Sequence, residues 1–180
     1  MASFTKIADQ QVHAGFRFTV NEVRYRAEDG SEFDRDVVRH AGAVAVLPLH
    51  DDDSVTLVRQ FRAALDDELL ELPAGMRDVA GEADVHTARR ELMEEAGLDA
   101  ARLEHLVTFH NSPGFCDETV GVFLATGLQA VPDARQGIEE ELMTVERIPL
   151  ADALEMVRDG RITDAKTIIA LTITAARRQG

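Results

Sequence analysis

Hydrophobic positions change period along the chain, and each change marks an element. Phe16, Phe18 and Val20 alternate with other residues, as do Val23 and Tyr25, the period of a strand. Glu28-Asp29-Gly30 reads as a turn into a return strand from about Glu32 to Arg39. Ala41 to Leu49 is a continuous apolar run, as expected of a strand covered on both faces. Asp51-Asp52-Asp53 turns the chain, Val55 to Phe61 returns, and Leu69 to Ala74 follows a polar stretch. Pro73, Gly75 and Gly81 then break regular structure, so a loop is expected there. From Ala83 to Ala96 there is neither Gly nor Pro, and Val85, Ala88, Leu92 and Ala96 fall in one stripe at helical spacing. Gly97 supplies a left-handed residue to end that helix.

Beyond the helix, Leu103 to Phe109 and Thr119 to Thr126 read as strands around the loop Asn111 to Glu118. Pro132 to Glu141 is polar, acidic at its end, and expected to be a mobile loop before a last strand, Leu142 to Ile148. Pro149 is expected at the first position of a helix ending near Gly160, and Thr163 or Asp164 caps a final helix to about Arg178. Strands interleaved with helices around an apolar centre imply an α/β sandwich. Residues 1–40 form a β extension whose few strands cannot bury both faces, so it must pack on the main domain, 41–180, or on a second chain.

Bulk properties narrow the classes. At 180 residues, with 45% hydrophobic content, the chain is expected to be one domain with a small appended element. A formal charge of −14 argues against binding nucleic acid or an anionic membrane. Cys116 is the sole cysteine, which excludes an intrachain disulfide and fits a reducing compartment. No leader pattern opens the chain, and Pro48 interrupts the longest apolar run far short of the ~20 residues a membrane helix needs. A cytoplasmic location is therefore expected. The six histidines show no metal spacing, and Cys116 has no evident base beside it.

The chemistry lies on the helix. Glu91, Glu94 and Glu95 fan out beside its apolar stripe, in the last two turns, near the negative end of the helix dipole. Glu91 and Glu95 also repel at i,i+4. Clustered oxygen donors suit a hard divalent cation such as Mg²⁺; a solvated acidic face is the alternative that spacing alone leaves open.

The full pattern runs from Gly75 through Glu82, Arg90-Glu91-Leu92 and Glu94-Glu95 to Gly97-Leu98. It closely resembles the signature of the Nudix hydrolases. The family has five residues between its first Gly and first Glu, whereas six separate Gly75 from Glu82; the additional residue falls in the loop and leaves the helix spacing intact. Outside this box, Arg59-Gln60-Phe61-Arg62, Glu71-Leu72-Pro73-Ala74-Gly75, Pro113 and Asp164-Ala165-Lys166-Thr167 resemble the ADP-ribose pyrophosphatase branch.

That resemblance implies an α/β/α sandwich with a mixed sheet and an N-terminal antiparallel β extension. It implies hydrolysis of ADP-ribose, a nucleotide sugar, to AMP and ribose 5-phosphate by an enzyme using Mg²⁺ or Mn²⁺, two or three ions per site. Glu91, Glu94 and Glu95 would hold the metal with the backbone carbonyl of Ala74, and Arg90 and Glu82 would support them from behind. The base is expected in Glu139-Glu140-Glu141, with Glu139 as base and Glu141 as a further ligand; a shift of one residue would make the base Glu140. Arg62 would contact diphosphate or ribose, Met76 would also touch substrate, and Ser112 and Glu118 would lie near the terminal ribose. Phe16 would stack on adenine beside Arg35, against the plainer readings of a strand-core aromatic and a surface salt bridge. The branch exchanges its N-terminal strands, which implies a homodimer. Hydrolysis of another nucleoside diphosphate sugar, or binding of ADP-ribose without cleavage by a sensor, are the competing functions.

Overall fold

A computed structural model describes residues 3–132 and 142–179. Ten strands and three helices are formed by these residues, which gather into two compact units. The first comprises the chain up to Gly42 together with His110–Thr119. The second comprises Ala43–Phe109 and the chain from Val120 onward. No helix among the described residues is long and apolar enough to cross a membrane.

In the first unit, β1 (Phe4–Ala14), β2 (Phe18–Ala27) and β3 (Glu32–His40) make an antiparallel sheet in that order. Pattern reading misses β1 as a separate strand, because its sequence does not alternate and every one of its residues is exposed. Its backbone ladder with β2 holds it, and side chains add to that: Asp9 accepts from Asn21 Nδ2 at 2.7 Å and from Arg39 at 2.9 Å. Phe16 does not continue β2 as expected; it lies in the turn that Gly15 closes by donating to the Phe18 carbonyl at 2.8 Å. The loop after His110 docks on β3, with the Val38 N–H on the Phe115 carbonyl at 2.7 Å and the Asp117 N–H on the Val38 carbonyl at 3.1 Å.

The second unit is built around β4 (Ala43–Pro48), which pairs in parallel with β9 (Thr119–Ala130) and antiparallel with β7 (Ala74–Met76). With β8 (Leu98–His110) this gives the mixed order β7-β4-β9-β8. A second sheet has the order β10-β5-β6, from β5 (Ser54–Arg62), β6 (Asp67–Glu71) and β10 (Thr144–Pro149). Alternate residues of β4 explain its continuous apolar run. Val44 and Val46 face Ala88 and Leu92 of α1 (Asp84–Ala96), while Ala45 and Leu47 join the cluster with Val55, Leu57 and Leu171. Helices α2 (Leu150–Arg158) and α3 (Ala165–Gln179) bury Leu150, Ala153, Ala170 and Leu171 in that second cluster. The result is the mixed α/β sandwich expected.

Three local readings change. Around Gly75 the chain is a short strand, β7, because its backbone pairs with β4. β8 begins at Leu98, directly after Gly97 turns the chain at φ 63°, and so starts five residues before the expected Leu103. Pro149 pairs with Ser54 as the last residue of β10 and precedes the helix; Leu150, its first residue, donates to the Asp53 carbonyl. Between the two cap candidates of α3, Asp164 serves: its Oδ2 accepts the Thr167 N–H at 3.0 Å.

Candidate metal-dependent active site

Helix α1 buries one face against β4, and its carboxylates ride the edge of that face. Glu91 and Glu95 are buried, at 7% and 3% exposure, and Glu94 is half-buried. A buried carboxylate must be compensated, and part of that compensation is visible. Glu95 Oε2 accepts the Ala74 N–H at 2.9 Å. Arg90 Nη1 donates to Glu91 Oε1 at 2.6 Å and to Glu94 Oε2 at 3.1 Å. Its Nη2 lies 3.6 Å from Glu82 and 3.8 Å from Asp78. Burial works against the Arg90 charge, but Glu91, Glu94 and Glu82 outweigh it and raise its pKa above the ordinary value. Glu82 is itself steadied by the Thr87 hydroxyl at 2.8 Å. Ala74, Glu82, Arg90, Glu91, Glu94 and Glu95 are thus brought into one constellation.

The residues fit a divalent cation by the chemistry of their donors. All are carboxylate oxygens, crowded at the end of a helix whose last turn holds no basic residue. Among the described residues no three or more ligating side chains already converge on one point, and Arg90 Nη1 bonds to both Glu91 and Glu94. Gly75 adds a second mark of fit. A Cβ there would overlap the Glu91 carboxylate as it is placed, so the absence of a side chain at Gly75 lets that carboxylate rest against β7.

Arg62 stands beside this cluster but is already engaged. Its Nε and Nη2 donate to the two oxygens of Glu71, both at 2.7 Å. Burial opposes its charge; Glu71, then Glu95 and Asp164, outweigh that and raise its pKa. Glu71, 1% exposed, also receives Lys166. Sequence reading missed Glu71 as Arg62's anchor and Lys166 as the second partner of that carboxylate. A carboxylate set between Leu70 and Leu72 was the available signal, because a charge in an apolar run must be paired. Met76 ends β7, paired with Ala43.

The remaining expected substrate residues belong to the first unit. Phe16 is 95% exposed, which excludes the strand-core reading; Arg17 lies over its ring at 5.3 Å. Arg35 makes no salt bridge among the described residues. It donates to the Asp34 carbonyl at 2.7 Å and covers the Phe33 ring at 4.6 Å. The Ser112 carbonyl accepts from the Phe115 and Cys116 N–H groups, and Glu118 accepts from Asn111 Nδ2 at 3.0 Å. Glu139, Glu140 and Glu141 lie outside the described residues.

Comparison with known proteins agrees with this geometry. The chain is 38% identical over 165 residues to an ADP-ribose pyrophosphatase of Bacillus subtilis (strain 168), spanning 92% of this chain and 89% of that protein. It is 40% identical over 165 residues to an ADP-ribose pyrophosphatase of Mycobacterium tuberculosis, spanning 92% and 80%. A crystal structure of an ADP compounds hydrolase superposes with a TM-score of 0.84 at 25% identity, covering all of this chain and 97% of that one. Residues 38–171 match the NUDIX domain, a family whose hydrolases generally need divalent metal ions. With its acidic helix, its glycine cradle and these relatives, the chain belongs to the Nudix family.

Proposed function

We propose that this protein hydrolyses the pyrophosphate bond of ADP-ribose, giving AMP and ribose 5-phosphate, with Mg²⁺ held by Glu91, Glu94 and Glu95. The observation that carries this reading is the constellation on α1: three glutamates, two of them buried, with Glu91 against Gly75 and Glu95 on the Ala74 N–H. The relatives named above support ADP-ribose as substrate.

A divalent ion there supplies charge neutralisation for the pyrophosphate and lowers the pKa of a bound water. The chain's own residues do the rest. Arg90 and Glu82 orient the glutamates, and Ala74 adds its carbonyl to the ligand set. Arg62 has Nε and Nη2 fixed on Glu71, which leaves Nη1 for a phosphate oxygen. Glu139 takes the proton of the attacking water, and Glu141 is a further ligand. As the new P–O bond forms, the bridging P–O bond breaks and the two monophosphates leave. Phe16 stacks on the base, Arg35 grips it, and Met76, Ser112 and Glu118 complete the contacts to substrate.

An exposed aromatic ring stacks on any base, so the Phe16 geometry equally favours a broader nucleoside diphosphate sugar hydrolase. A product-resolved assay with Mg²⁺, offering ADP-ribose, UDP-glucose and GDP-mannose in parallel, decides. AMP and ribose 5-phosphate formed fastest is the expected result; faster cleavage of another sugar nucleotide overturns the substrate, and binding without cleavage overturns the chemistry.

The working unit is a homodimer in the cytoplasm. All of β1 is exposed, with Phe4 and Val12 more than half so, and a second copy of this chain is the partner that covers it. Light scattering that finds an active monomer refutes the dimer.

A further inference from the structure

We propose that the first turn of α3 is a positioning device for the carboxylate site, acting through Thr167 and Lys166. The inference rests on reading that site as a cation site, and it concerns residues that contact neither substrate nor ion.

Four consecutive residues, Glu71 to Ala74, carry the chain from β6 into β7, and each is pinned by a different partner. The Glu71 carboxylate receives Arg62 and Lys166. The Leu72 N–H donates to Thr167 Oγ1 at 2.9 Å. The Pro73 carbonyl accepts the Val46 N–H at 2.9 Å. The Ala74 N–H ends the series on Glu95 Oε2. One continuous backbone therefore runs from α3 to a carboxylate of α1.

Thr167 is more than a plug in this path. It is fully buried, at 0% exposure, and its hydroxyl acts in both directions. The hydroxyl donates to Asp164 Oδ2 at 2.5 Å while accepting the Leu72 N–H. Asp164 Oδ2 also caps the Thr167 N–H, and Oδ1 accepts Lys166 Nζ at 3.0 Å. The helix cap and the strap thus share one hydroxyl, and the placement of Leu72 follows the placement of the cap. Lys166 supplies the second link. Glu71 and Asp164 balance Arg62 and Lys166, so loss of Lys166 leaves a buried carboxylate to Arg62 alone.

For Lys166, charge and positioning predict opposite signs. Removing a cation from the surroundings of a carboxylate cluster tightens binding of a divalent ion by Coulomb attraction alone. Loosening the strap that carries Ala74 weakens it.

The test is Mn²⁺ binding to the full chain, followed by the paramagnetic resonance signal of free Mn²⁺, with circular dichroism confirming the fold. Thr167→Val should raise the Kd about tenfold, within the range for loss of a group that orients metal ligands, and Thr167→Ser should restore it. Lys166→Met should also raise the Kd, and Lys166→Arg should restore it. A folded Thr167→Val with the Kd of the unmodified protein overturns the proposal, as does tighter binding by Lys166→Met. If Thr167→Val does not fold, the sign for Lys166→Met decides alone. Unmodified protein that takes up no Mn²⁺ overturns the cation site itself, and the positioning role with it. That failure is distinct, because it appears before any substitution is made.

Discussion

Glu95 accepts the main-chain N–H of Ala74 at 2.9 Å, tying the end of α1 to the first residue of β7. The bond needs an acceptor and not a charge, whereas holding a cation needs the charge. Glu95→Gln keeps an acceptor and should fold with little change in Tm. Its kcat should fall by two orders of magnitude or more, on the order of losing one key electrostatic group. Near-normal turnover in a steady-state assay would show that Glu95 holds no metal.

Glu139→Gln separates the base from the ligands. A general base contributes roughly 10²–10⁴ in rate, so kcat should drop by that order while KM changes little. If Glu140→Gln shows this loss and Glu139→Gln does not, the base is the neighbouring residue.

Gly75→Ala tests the close approach of β7 to α1. The new methyl overlaps the Glu91 carboxylate, which is 7% exposed and held by Arg90 Nη1 at 2.6 Å, so the carboxylate must leave that bond to make room. Overpacking of this kind costs roughly 1–3 kcal/mol, and for a domain of this size each kcal/mol lowers Tm by roughly 2–4 °C. Calorimetry should show that drop together with weaker Mn²⁺ binding. An unchanged Tm would mean that Glu91 moves aside freely.

Asp9 gives a pH signature in the first unit. Hydrogen bonds from Lys6, then from Asn21, hold its carboxyl down at about 2, against an ordinary value of ~3.9. The folded-state pKa lies below the unfolded one, so its contribution is fully present above ~pH 4 and is lost as pH falls through about 2. Carbon-detected NMR should place the Asp9 midpoint there, and Lys6→Ala should move it upward. A midpoint already in the ordinary carboxylate range would refute the cluster.

What could be read in advance follows from which interactions are local. The helix, its carboxylates and the Gly97 stop are written within one short stretch, and α1 matches it from Asp84 to Ala96. The apolar run of β4 likewise announces burial on two faces. β1 escaped because nothing in it alternates: it is held by its backbone pairing with β2 and by Asn21 and Arg39, whose pairing with Asp9 no local pattern encodes. β7 escaped because a glycine chosen for close approach looks the same as one chosen for a loop. Glu71 escaped as a ligand of Arg62 because its other partner, Lys166, lies at the far end of the chain.

The Leu72–Thr167 bond has a consequence for biosynthesis. Its donor precedes its acceptor by 95 positions, and translation adds roughly 5–20 residues per second. For roughly 5 to 20 s after Leu72 is made, the ribosome has not yet supplied the hydroxyl that Leu72 will need, nor the ammonium that Glu71 will need. Through that interval the emerging chain carries a strand end that cannot yet be closed. The acidic helix is complete long before the segment that seats it.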